Sequence, residues 1–123
     1  MKILEDLFKV VSLQTEGVAD GSMLCKAELL PKMDSVVFKA HFPDKPVVPG
    51  ACLVGAVGEM VGRATGQHYL VNEIKNVKFV SLIEPEEGEL VNIELNIVEA
   101  EKNLSVSGTV CYKGKTCVKL KLA

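Results

Sequence analysis

Tryptophan is absent from this chain of 123 residues, and aromatic residues of any kind make up only 5% of it. Whatever core it builds must therefore be aliphatic, which suits an apolar content of 48%. Basic residues are scarce as well: 14 Lys and Arg against 16 Asp and Glu leave a net charge of -2. A nucleic-acid binder needs a basic face to neutralise phosphates, and with no base-reading or stacking motif present that class is set aside. No apolar run reaches the roughly 18 residues a spanning helix requires. The opening MKILEDLFKVV carries Glu5 and Asp6 and no small-residue cleavage site, so it is not read as a secretory signal and a cytoplasmic protein is expected.

Histidine is nearly as rare, with two in the chain, and Cys25, Cys52, Cys111 and Cys117 form no C-x-x-C pair. That spacing is wrong for structural zinc, and no metal or cofactor is expected. Cys111 and Cys117 could face each other across a hairpin, but buried free thiols are the expected state in a reducing compartment.

What the chain does have is patterning. Residues 6 to 15 (DLFKVVSLQT) and 22 to 30 (SMLCKAELL) are rich in strand formers, and EGVADG between them reads as a hairpin connection. Residues 35 to 43 (SVVFKAHFP) are expected to begin extended and to be stopped by Pro43, Pro46 and Pro49, each of which biases its predecessor away from helix. From residue 72 onward strands follow one another: NEIKNVKFVSLIEP, ELVNIELNIVEA, LSVSGTVCY and CVKLKLA. In them Ile93, Leu95 and Ile97 alternate with Asn92, Glu94 and Asn96, and Val118, Leu120 and Leu122 with Lys119 and Lys121. A period of two gives an antiparallel sheet one buried and one wet face. YKGK, residues 112 to 115, is a short hairpin turn in which Gly114 is free to take a positive φ.

One long helix is expected between the two groups of strands, over roughly residues 49 to 66, with Pro49 in its first turn and Gly66 at its end. Ala51, Gly55, Gly58 and Gly62 fall on one face and Leu53, Val57, Met60 and Val61 on another, so both faces must be buried. Each interior glycine costs about 1 kcal/mol against alanine. Something must therefore approach that backbone too closely for side chains, and a sheet wrapped around the helix is the expected neighbour. The sum is one α+β domain, residues 1–123, with a single antiparallel sheet around a long central helix.

The stretch HFPDKPVVPG, His41 to Gly50, runs directly into that helix, with KNVKF and the strand meander following later. In this texture and order the chain resembles the hotdog-fold β-hydroxyacyl-[acyl carrier protein] dehydratases of the FabZ/FabA type, over nearly its whole length. The resemblance implies loss of water from a 3-hydroxyacyl thioester to give a trans-2-enoyl thioester. It implies His41 as the base that takes the α-proton and the Gly50 N–H as donor to the thioester carbonyl, with Pro49, Ala51, Gly55 and Phe42 around the substrate. The chemistry fits on independent grounds. Deprotonation beside a carbonyl builds negative charge on its oxygen, and a helix N-terminus offers unpaired N–H donors and a positive dipole end to receive it. A histidine near its ordinary pKa is poised to act as the base.

The resemblance breaks at one informative position. The Glu or Asp that serves the leaving hydroxyl in that family falls, counted from His41, on Gly55. Without it, general acid catalysis worth roughly 10²- to 10⁴-fold is forfeited. The only acid in the helix is Glu59, one turn or about 6 Å deeper and on nearly the same azimuth. Glu59 is therefore a candidate catalytic group reaching back into the space above Gly55. Its plainer reading is an i,i+4 ion pair with Arg63. His41 too has a plainer reading, as a loop residue capping backbone groups, and His68 reads as a helix-end cap. Asp44 stands where the family usually has Gly, and the family's N-terminal His-containing signature has no counterpart here, which points to a specialised relative.

The expected protein is thus a homodimer that acts on an acyl thioester of acyl carrier protein or coenzyme A, as a dehydratase of fatty acid or related lipid or polyketide biosynthesis. Two alternatives follow from Gly55: an impaired acyl-binding chain that pairs with a related, acid-bearing subunit, and an acyl thioesterase on the same fold. Lys32, Lys45, Arg63, Lys75 and Lys78 could meet an acidic carrier protein, though scattered lysines are more often plain solvated surface.

Overall fold

Where apolar and polar residues alternate along the second half of the chain, the computed structural model lays down strands. It describes residues 2–18, 21–40, 44–67, 69, 71, 73–99 and 104–123. In chain order the elements are α1 (Ile3–Asp6), β1 (Phe8–Gly17), β2 (Met23–Pro31), α2 (Val36–Ala40), α3 (Gly50–Thr65), β3 (Ile74–Phe79), β4 (Val91–Glu99), β5 (Leu104–Tyr112) and β6 (Lys115–Leu122). The six strands form one sheet in the order β1-β2-β4-β5-β6-β3, with every neighbouring pair antiparallel. This is the expected hotdog arrangement.

The period-two reading holds residue by residue. Val91, Ile93, Leu95 and Ile97 of β4 are buried with Val106 and Val110 of β5 and Val118, Leu120 and Leu122 of β6, while Glu94, Lys119 and Lys121 face solvent. Cys25, Ala27 and Leu29 extend the buried face onto β2. Onto it α3 lays Leu53, Ala56, Val57, Met60 and Val61, all at most 2% exposed. The β5–β6 turn takes positive φ at both Lys113 (51°) and Gly114 (75°), the backbone hand that matches a twisted hairpin. The four cysteines are free thiols, as expected, and Cys111 and Cys117 do not face each other across this hairpin: Cys111 lies opposite Thr116, while Cys117 turns into the core.

Two expectations need correction. Residues 36–40, expected to be extended, form α2. The β-branched pair Val36–Val37 misleads, because Ser35 Oγ accepts the Val37 N–H at 3.3 Å and Phe38 is 2% exposed, so capping and one anchored ring outweigh weak local propensity. The strand expected over residues 72–85 is shorter, Ile74–Phe79. Beyond it the N–H groups of Val80 and Ser81 both donate to the Cys117 carbonyl, at 2.8 and 3.2 Å, which ends the regular ladder.

Candidate active site

Helix α3 begins as the sequence requires. Pro49 is its N-cap, extended at φ -61° and ψ 140°, and Gly66 closes it in the left-handed region at φ 70°. The Cys52 and Leu53 N–H groups turn back onto the Pro49 carbonyl at 3.0 and 3.2 Å. Pro49 makes no side-chain cap, so the first-turn amides of Gly50 and Ala51 stand at the mouth of the helix with the positive end of its dipole. The loop before it is pinned from below. Val48, 4% exposed, donates its N–H to the Ile83 carbonyl at 2.9 Å, and Lys45 pairs with Glu84 at 3.2 Å.

Of the residues singled out in the sequence, His41, Phe42 and His68 lie outside the described residues. Pro49, Gly50 and Ala51 share the start of α3, as expected, and Asp44 is exposed nearby. The sequence did not point to Phe79. Its ring, carried by β3, lies over the helix start so closely that a Cβ on Gly50 would stand 2.7 Å from Cζ. Glycine at position 50 thus lets that ring lie over the helix start. The available signal was the alternation in KNVKF, which puts Phe79 on the same face as Val77.

The glycine face of α3 also has neighbours other than the expected sheet. A Cβ on Gly55 would run into Cδ1 of Ile3, one on Gly58 would meet Val71 at 3.6 Å, and one on Gly62 would stand 3.2 Å from the Gln67 carbonyl oxygen. The sheet takes the Leu53 and Val57 face, and the glycines admit the N-terminal helix and the returning segment after α3. An open groove of about 670 Å³ runs along this face, lined among others by Gly55, Gly58, Glu59, Arg63, Gln67 and Tyr69. The Tyr69 hydroxyl is buried there with no hydrogen-bond partner among the described residues, and burial pushes its pKa up.

Glu59 is half-buried at the edge of this groove. Its two carboxylate oxygens accept the backbone N–H groups of Ile3 and Leu4, at 2.8 and 3.1 Å. The ion pair expected between Glu59 and Arg63 is replaced: Arg63 reaches Glu5 at 3.1 Å. The sequence hid this because α1, the partner of both side chains, is distant along the chain and too short to show a period. Of the candidate carrier-facing cations, Lys45, Arg63 and Lys75 pair with acids of this chain, and Lys32 donates to the Glu5 carbonyl. Among the described residues no cluster of three potential metal ligands occurs, and no helix is long and apolar enough to cross a membrane.

Comparison with known proteins agrees with this fold. The 3-hydroxyacyl-[acyl-carrier-protein] dehydratase FabZ of Clostridium acetobutylicum is 24% identical over 94 residues, 70% of this chain and 65% of that relative. The chain matches less than two thirds of the length of such curated relatives. A crystal structure of an uncharacterized protein from Erwinia carotovora subsp. atroseptica superposes with a TM-score of 0.75 at 19% identity, covering 94% of each chain. The dehydratase heterocomplex ApeI:P from Xenorhabdus doucetiae follows with a TM-score of 0.66 at 22% identity, covering 93% of this chain and 96% of that one. The ApeI-like family, described as ApeI dehydratase, matches residues 17–120, which takes in the helix mouth, Gly55 and Glu59. The chain therefore belongs to the ApeI-like dehydratase family.

Proposed function

We propose that this chain is one subunit of a two-chain 3-hydroxyacyl thioester dehydratase, and that the acid of its productive site comes from a related subunit. His41 takes the proton from C2 of the acyl chain. The electrons of that bond form the C2–C3 double bond as the C3–O bond breaks, and the hydroxyl leaves as water with a proton from the partner's carboxylic acid. The Gly50 N–H, backed by the positive end of α3, holds the thioester oxygen while charge builds on it. The acyl group arrives on acyl carrier protein or coenzyme A.

The observation that carries this reading is the state of position 55. Its space is filled by Ile3, and the nearest helix acid, Glu59, has both oxygens engaged by backbone N–H groups. A homodimer would then bring together histidines with no acid at that position. The dehydratase heterocomplex among the structural neighbours supports mixed pairing. The outer side of β3 supports assembly along that edge, since it is unpaired and flanked by exposed Ile74, Phe79, Val80 and Leu82.

The test is to co-express the chain with a candidate acid-bearing relative, weigh the native complex, and supply 3-hydroxyacyl and trans-2-enoyl thioesters. A 1:1 complex that interconverts them, and stops on His41→Ala, is expected. A homodimer active alone would remove the mixed pairing, and release of free thiol without enoyl product would replace dehydration by thioester hydrolysis.

A further inference from the structure

Helix α1 spans four residues, too few to hold itself in water. It is held from outside. Leu4 and Leu7 are fully buried, Glu59 accepts the Ile3 and Leu4 N–H groups, Arg63 pairs with Glu5, and the Lys32 ammonium donates to the Glu5 carbonyl. These ties carry the Ile3 side chain onto α3 at the one position where glycine replaces the expected acid. Simple loss of a carboxylate would be met by any small or neutral side chain at 55. Here the fit is two-sided, since a Cβ at 55 would run into the tip methyl of Ile3, which would have to turn aside to admit it. Helix α1 also lies before the residues shared with the family.

We infer that Ile3 is a stopper, and Glu59 the clasp that positions it, closing this chain's position-55 half-site to substrate. The inference rests on the proposed function, in which a pair of chains has two composite sites. With the stopper in place, the chain contributes a base and amide half only, and each mixed pair carries one open site. Glu59 is then a positioning residue whose carboxylate reads two backbone donors.

Two measurements on the full chain test this. The first is amide hydrogen exchange at Ile3 and Leu4, which needs no activity. Exchange at least tenfold faster in Glu59→Ala than in wild type is expected, with Glu59→Gln restoring part of the protection; equal rates in all three proteins would overturn the clasp. The second is turnover of a 3-hydroxyacyl N-acetylcysteamine thioester by the chain alone, under conditions where native mass spectrometry reports pairs. Ile3→Ala/Gly55→Glu is expected to gain about 100-fold over wild type, Gly55→Glu less than a tenth of that gain, and Ile3→Ala none.

A Gly55→Glu protein as fast as the double variant, or a folded and paired double variant with no gain, would overturn the stopper. If Glu at 55 prevents folding, Ile3→Ala/Gly55→Asp carries the same comparison. If no variant pairs, the exchange result decides alone. A gain that survives His41→Ala would refute the proposed function and the stopper with it, and leave only the clasp standing on the exchange rates.

Discussion

At the scale of single residues, one ring and two backbone amides bear on why Gly50 and Glu59 are what they are. Phe79 explains Gly50: an alanine methyl would stand 2.7 Å from the ring, so the ring must swing away from the helix mouth. Gly50→Ala is expected to lower turnover of the assembled dehydratase more than tenfold while moving the melting temperature little, because the ring is 53% exposed and has room to move. Steady-state assays beside calorimetry check this. Ile3 and Leu4 explain Glu59. Charge-assisted bonds to two N–H groups are worth about 2 kcal/mol at a half-buried site, so Glu59→Ala should lower stability by that amount in urea titration, with Glu59→Gln costing less. Positions 50, 55 and 59 were singled out from their spacing after His41. Their partners were not, since no local pattern links residue 3 to residue 59 or residue 79 to residue 50.

At the scale of elements, the sequence signals that survived are those with several reinforcing parts. Helix α3 had a proline at its start, a glycine at its end and an apolar face between, and it begins and ends within a residue of expectation. The strands of the meander had alternation over eight or nine residues each. Helices α1 and α2, of four and five residues, had no room for a period, and packing of Leu4 and Phe38 decided them. Strand β3, like β1, is an edge strand with no further strand beside it among the described residues, and it is the one flanked by exposed Phe79 and Leu82. Phe79→Glu combined with Leu82→Glu is expected to abolish assembly along that edge, shifting the sedimentation coefficient to that of a single chain. The melting temperature of the isolated chain should hold, because both side chains are more than half exposed, Leu82 at 71%. Loss of fold in place of loss of assembly would refute that role.

For the whole molecule, stability should fail on the alkaline side before exposed ion pairs matter. Burial pushes the Cys25 and Cys52 thiols and the Tyr69 and Tyr112 hydroxyls to higher pKa. Each is held protonated in the fold and freed to ionise on unfolding. Their contribution is complete below the ordinary thiol and phenol values and is lost as pH rises from those values through the raised ones of the fold. The melting temperature is expected to fall between about pH 8 and pH 10. Cys25→Ala should lower the neutral value and flatten the slope, and an equal slope in the variant would refute the thiol contribution. The paired surface charges, such as Lys113 with Glu86 and Lys45 with Glu84, are solvent-exposed, and salt should change stability little.

The sequence by itself determined the sheet, the helix it encloses and the helix mouth that follows HFPDKPVVPG, because each rests on a period or a terminus that neighbouring residues enforce locally. It also marked position 55, where the resemblance implies an acid and the chain carries glycine. Only the tertiary structure decided what fills that vacancy and what occupies Glu59. Both answers come from a four-residue helix that exists only because α3 holds it, and a contact spanning more than fifty residues leaves no trace in local pattern.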